Sequence, residues 1–329
     1  MLPRKQTCKV KEIIMKFNQN DLERYASPLS ATENEMCKRA IIQVRDVLSD
    51  LGYTDDNKEI SLLAEDTLAY TLSMRSTVNN HTVDIFIQGS YANNTCISGE
   101  SDVDIAVVRK EGHDYVFNSS CQTGTTNKKL EAAVFKDTVE RKLRVRFPYE
   151  VERHNKSIKV KGNTYRKQVD TVPCFALNCY YNTGNNDYSS YKEGIIIYAD
   201  DGTVIRNFPK QHIFNGKSKN KLTNYKYKKI VRIIKKMRAL MIDFRYSSAS
   251  KVSSFGLESL LWNLPNEEFT RYYTLGYVVQ DIIRYLKTNI GKFDYYKEAN
   301  GIKPLFASVE EKQNYINFIN DLDRFFVYE

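Results

Sequence analysis

Two carboxylates one residue apart, Asp102 and Asp104, follow the triplet Gln88-Gly89-Ser90 after a gap of eleven residues. In a strand, residues i and i+2 point to the same face, and their side chains emerge roughly 6–7 Å apart, two strand rises. Asp102 and Asp104 therefore share one face, and Val103, Ile105 and Val107 take the opposite, core-facing one. Two like charges beside a buried strand repel each other, and a divalent cation removes that cost. Magnesium suits the pair, because it takes oxygen ligands and is commonly shared between carboxylates and substrate phosphates. Two-metal centres, with ions about 3.5–4 Å apart, carry out in-line phosphoryl displacement. The third carboxylate such a centre needs is Asp170, in R-K-Q-V-D-T-V-P-C-F, on a separate strand-like segment anchored by Val169 and Val172. Gly89 allows close approach of a backbone N–H to a phosphate, and the Ser90 hydroxyl can reach a phosphate oxygen. Taken singly, a D-x-D is usually a solvated turn and a Gly-Ser pair carries almost no information. Their combination after an apolar strand is what points to phosphoryl transfer on two Mg2+ ions, with Mn2+ as the alternative.

The elements that must position these groups are read from periodicity. Val83, Ile85 and Ile87 alternate with Asp84, Phe86 and Gln88, a half-buried strand that Gly89-Ser90 ends. Alternation resumes over 102–108, with a short helix or loop between. Further strands are predicted over 145–153, 157–161, 168–177, 193–198 and 203–206, with hairpin signals at Gly162-Asn163 and Asp201-Gly202. A helix is predicted over 32–51, with Thr32 and Glu35 as its capping box and Gly52 past its end, and another over 127–142. After about residue 215 the pattern turns helical. Ile230, Ile233, Ile234, Met237, Leu240, Met241 and Phe244 form one face of a long helix. Helices over 253–264 and 270–289 follow, and a last one starts at Ser308 with Glu311 closing its box. The fold class is α+β: a mixed sheet flanked by helices, with N-terminal helices, over 1–215, followed by a helical lobe over 216–329.

The chain has 329 residues and a net charge of +9. Its 42% hydrophobic and 27% charged residues are ordinary for a globular protein. Lys217–Arg238 holds ten Lys or Arg and no acid; without it, 39 basic residues face 40 acidic ones. A localised basic face implies an anionic ligand. At 100° per residue, Lys228, Arg232 and Lys235 cluster away from the apolar stripe as a phosphate-binding stripe. No apolar run of roughly 18 residues exists and no signal-peptide pattern opens the chain, so a cytoplasmic protein without membrane attachment is expected. The six cysteines lack C-x-x-C spacing and lie far from the four histidines, which favours reduced thiols over zinc or disulfides.

These residues resemble the CD-NTases, the bacterial relatives of cGAS that make cyclic oligonucleotide second messengers. The matching pieces are Gly89-Ser90-Tyr91, D-V-D at 102–104, V-D-T-V-P at 169–173, N-F-P-K-Q-H at 207–212, R-I-I-K at 232–235 and S-S-F-G-L-E at 253–258. The resemblance spans about residues 80 to 265 and implies a polymerase-β-like nucleotidyltransferase core over 1–215, with the helical lobe over 216–329 closing the active-site cleft. It implies that Ser90, beside Gln88 and Gly89, contacts the donor triphosphate. Asp102 and Asp104 bind both magnesium ions and Asp170 the catalytic one. Arg232, Lys235 and Ser254 hold donor phosphates, and Phe255 stacks on a base. Asn178 lies near the acceptor base, as in CdnE-type enzymes with pyrimidine-selective products. The implied activity is template-independent joining of ribonucleoside triphosphates into a cyclic di- or oligonucleotide. The product acts on a separate effector protein in anti-phage (CBASS) signalling, and no stable nucleic-acid template takes part. Alternatives are an RNA-tailing polymerase, or a transferase that modifies a small molecule or protein. From another class comes an inactive nucleotide or nucleic-acid sensor.

Overall fold

A computed structural model describes residues 14–55, 61–62, 70–76, 81–97, 102–117, 122–124, 128–180 and 191–329. They form two compact units. One comprises Pro28–Lys219 with Glu298–Lys303; the other comprises the described residues up to Ser27, Asn220–Lys297 and Pro304–Glu329.

The first unit is built on a sheet of eleven strands among the described residues. Its main path runs Val204–Asn207, Tyr191–Tyr198, Val169–Tyr180, Val103–Phe117, Thr82–Gln88, Tyr70–Ser76, Tyr53–Asp55. Val169–Tyr180 and Val103–Phe117 pair in parallel. A parallel pair needs a crossover, and the helix Lys129–Arg146 lies in that connection. Strand alternation sorts the side chains into two layers. Val83, Ile85, Ile87, Val103, Ile105 and Val107 enter the core under the helices Ala31–Ser49 and Lys129–Arg146. Phe86, Ala106, Val108, Val172, Cys174 and Ile195 form a smaller cluster on the other face.

Several boundaries differ from expectation, two of them for a visible reason. The first helix of this unit starts two residues early: Ser30 caps it, accepting from Glu33 N at 3.2 Å while Glu33 reaches back to Ser30 N. Both S-A-T-E and T-E-N-E satisfy the capping-box pattern, and the chain uses the earlier. The strand expected over 145–153 shrinks to Val151–Arg153. The preceding helix continues to Arg146, because its buried positions Ala132, Phe135, Val139 and Leu143 keep helical spacing past Lys142. Cys37, Cys96, Cys174 and Cys179 are free buried thiols. Cys8, Cys121, Asn127 and residues 98–101 lie outside the described residues.

The second unit is helical. Tyr227–Asp243, Ser254–Trp262, Leu275–Thr288 and Val309–Phe325 enclose a core that also takes in Phe17, Leu22 and Ala26. This packing corrects the expected division: the helix Gln19–Ala26 belongs with the helical unit, not with the core over 1–215. Strand Met15–Phe17 pairs in parallel with Phe326–Tyr328 and so joins the two ends of the unit. The helix expected over 270–289 runs from Leu275 to Thr288, and a separate single turn, Glu267–Thr270, precedes it. No described helix is long and apolar enough to cross a membrane.

The Lys228, Arg232 and Lys235 row is not a solvent-facing stripe. The three are 4%, 4% and 2% exposed. Helix Tyr227–Asp243 is buried around most of its circumference, with Tyr227 and Val231 as well as the predicted apolar face in the interior. A helix surrounded in this way hides its polar positions too.

Candidate active site

Strand register assembles the acidic centre. Asp104 stands opposite Asp170 across the parallel ladder. Gln88 stands opposite Asp104 on one side and Lys159 opposite Asp170 on the other. Paired residues on neighbouring strands share a face and sit about 4.5–5.5 Å apart at Cβ. Gln88, Asp104, Asp170 and Lys159 thus form one row across the sheet, on the face opposite Val103, Ile105 and Val107. Asp102 precedes the strand by one residue. There, Val103 N donates to Gln168 O at 2.9 Å and ties the two parallel strands together.

The electrostatics follow from this crowding. Burial, then the Asp170 and Asp102 charges, push the Asp104 carboxyl up to about 7. Burial also raises Asp170, opposed by Lys159 and reinforced by Asp102. Asp170 Oδ1 is buried without a protein hydrogen bond. The Asp102 carboxylate is instead held on both oxygens: Gln168 Nε2 donates to Oδ1 at 2.6 Å, and Lys159 Nζ lies 3.1 Å from Oδ2. Among the described residues no group of three or more acidic, histidine or cysteine side chains is placed to hold a metal ion by itself. The donor set nevertheless fits a hard divalent cation that completes its shell with substrate oxygens. It offers three carboxylates on one face, one of them with an orphaned buried oxygen.

Gly89 is required where it stands. Its φ is +71°, and a Cβ there would lie 2.5 Å from Asp104 Oδ2. The one-turn helix Gly89–Ala92 begins at this point and leaves Ser90 half-buried. Asn93, fully buried, donates from Nδ2 to Gly89 O at 3.1 Å, and the same nitrogen lies 3.3 Å from the ring nitrogens of His212. His212 comes from the N-F-P-K-Q-H run and gives that motif a place: it backs the glycine turn.

Asn178 lies on the same sheet, opposite Glu193, and lines a 240 Å³ cavity with Phe86, Lys110, Tyr191, Glu193 and Lys210. Two ion pairs frame the cavity, Asp84–Lys110 at 3.0 Å and Glu193–Lys210.

The remaining predicted groups belong to the helical unit. Lys235 Nζ is bonded to Glu258 Oε2 at 2.7 Å, and both residues are buried. Arg232 Nε donates to Ala26 O at 2.7 Å and so caps the C-terminus of the Gln19–Ala26 helix, which carries partial negative charge. Ser254 opens the helix Ser254–Trp262 behind the Ser253 cap. Phe255 is 41% exposed. Lys159, Gln168, Asn93 and Glu258 were not singled out from sequence. Lys159 left a trace as the polar residue between Ile158 and Val160 in an alternating strand, and Gln168 and Glu258 lay within quoted motifs without a role.

A family profile described as a nucleotidyltransferase domain matches residues 73–263. A second, the cGAS/DncV-like nucleotidyltransferase C-terminal helical domain, matches residues 214–327. Cyclic GMP-AMP synthase CdnE03 from Staphylococcus schleiferi is 41% identical over 322 residues, covering 95% of this chain and 98% of that one. The chain belongs to the cGAS/DncV-like nucleotidyltransferase family. The CdnE cyclic dinucleotide synthase of Elizabethkingia meningoseptica, solved with GTP and Apcpp, superimposes with a TM-score of 0.70 at 30% identity, covering 93% of this chain and 97% of that one. The Rhodothermus marinus c-UMP-AMP synthase CdnE shares the fold, with a TM-score of 0.69 at 24% identity, covering 93% of this chain and 94% of that one. Nucleotidyltransferases of this kind work with divalent cations, and the carboxylate row is where this cGAS/DncV-like chain can hold them.

Proposed function

We propose that this chain joins ribonucleoside triphosphates, without a template, into a cyclic di- or oligonucleotide on two Mg2+ ions held by Asp102, Asp104 and Asp170. The observation that carries the reading is the in-register pairing of Asp104 with Asp170 beside the Gly89 turn. Bound magnesium would supply charge neutralisation at the transferred phosphate and a lowered pKa at the attacking hydroxyl. Asp170, with its orphaned oxygen, orients the ribose hydroxyl of one nucleotide and draws off its proton. Gln88, Gly89 and Ser90 offer donors to the triphosphate of the other, and Ser254 offers a further hydroxyl. Phe255 presents a ring face to a base. The oxygen attacks the α-phosphate, pyrophosphate leaves, and a second transfer closes the ring. Positioning and charge neutralisation provide the acceleration.

Asn178 sets the acceptor base, since an amide offers both a donor and an acceptor to a base edge. Relatives named for purine and for pyrimidine products both occur, a cyclic dipurine synthase in E. meningoseptica and a cyclic dipyrimidine synthase in Legionella pneumophila. The product serves as a messenger to a separate effector protein in phage defence. Incubating the purified chain with labelled triphosphates, with and without added RNA, tests the reading. A phosphatase-resistant small product is expected in both; a ladder on the RNA, or modification of an added protein, contradicts it.

A further inference from the structure

One ion pair in the carboxylate row involves a residue that the proposed chemistry does not use. Lys159 lies on the strand Ile158–Val160, opposite Asp170 in register, and its ammonium reaches across to Asp102 Oδ2 at 3.1 Å. The side chain is 20% exposed. Its other acidic neighbour in register, Glu152, is bonded to Lys161 at 2.8 Å and faces His154 at 3.8 Å. The contact with Asp102 is therefore specific: Gln168 takes one oxygen of Asp102 and Lys159 the other.

We infer that Lys159 is a built-in counter-ion of the acidic row, a positioning residue whose ammonium holds Asp102 until a divalent cation displaces it. The inference rests on the proposed two-metal reading. Three carboxylates on one half-buried face destabilise one another unless a positive charge stands among them. The chain supplies one such charge itself. A divalent cation binding Asp102 and Asp104 places a larger positive charge on the same oxygens, and ammonium and metal cannot share Oδ2 without repulsion. Cation binding is then an exchange: Lys159 releases Asp102 and swings toward solvent, where its partial exposure already lies. Two consequences follow. The protein keeps its fold without metal, and the site fills only above a cation concentration that Lys159 sets.

The test uses the full chain, stripped with chelator and free of nucleotide. Manganese alone is titrated, and binding is read from loss of the free-ion EPR signal and from the rise in Tm. Lys159→Gln keeps the length and polarity of the side chain but removes its charge; Lys159→Arg keeps the charge. The expected result is a manganese midpoint three- to tenfold lower in Lys159→Gln, with a lower Tm in the absence of metal, and a midpoint near wild type in Lys159→Arg. An unchanged midpoint in Lys159→Gln would make Lys159 a bystander, and a raised one would make it a support of metal binding; either result overturns the inference. Asp104→Asn is the control for the underlying reading. If wild type and Asp104→Asn bind manganese alike, the carboxylate row is not the metal site, and both the reading and this inference fall.

Discussion

Asp104 and Asp170 face each other across a parallel strand pair, 66 residues apart in sequence but adjacent in register. Neither position is acidic for the sake of the fold. An apolar pair there would bury better, and burial together with the neighbouring charges lifts the Asp104 carboxyl to about 7. A strand pair that tolerates this cost at its start, beside the Gly89 turn, is suited to a positive partner.

That shift gives a signed pH dependence. The folded chain holds the Asp104 proton more tightly than the unfolded chain, whose carboxyl titrates near 3.8. The contribution is fully present below that value and is lost as pH rises to about 7. Without metal, the wild-type chain should lose stability relative to Asp104→Asn across that window and run parallel to it above. Melting curves of the two proteins in chelator at matched pH check this; a constant difference from pH 4 to 7 contradicts it.

Gly89→Ala should cost both stability and turnover. The added methyl meets Asp104 Oδ2, and a positive φ strains any residue with a Cβ by about 1–3 kcal/mol. Denaturant midpoints and pyrophosphate release measure the two effects. Full activity in this variant would mean that the turn and the carboxylate are not coupled.

The buried pair Lys235–Glu258 should behave as a unit. Removing one partner breaks a buried ion pair and costs about 3–5 kcal/mol, whereas a well-packed apolar pair of similar volume is close to neutral. Glu258→Gln should therefore destabilise far more than Lys235→Met combined with Glu258→Leu. Equilibrium unfolding of wild type, Glu258→Gln and the double variant reads the difference.

Phe255→Ala separates stacking from packing. At 41% exposure the ring carries little of the fold, so Tm should move by no more than a surface change does. Loss of a base stack worth about 1–3 kcal/mol should raise KM for triphosphate by roughly one order of magnitude. A core-sized loss of stability with unchanged KM would assign the ring to packing instead.

The pairing of Asp102 with Asp104 and the inward face of Val103, Ile105 and Val107 were legible because alternation is a local property of a strand. Asp170 was legible as an acid on a second strand, though its register against Asp104 was not, since pairing is set by contacts far apart in sequence. The same limit hid Lys159 and Gln168, whose importance comes from a partner 57 and 66 residues away. Helical projection placed Lys228, Arg232 and Lys235 correctly around their helix, but projection says nothing of what covers a face, and all three turned out buried. The choice between Ser30 and Thr32 as a cap was open for a simpler reason: two overlapping segments carry the same four-residue signal.

The most direct measurement is pyrophosphate release from a mixture of the four ribonucleoside triphosphates, with wild type beside the Asp102→Asn, Asp104→Asn double variant. The account predicts turnover in the first and none in the second, with the far-UV spectrum of the variant unchanged. Turnover at the wild-type rate in a folded double variant would contradict it.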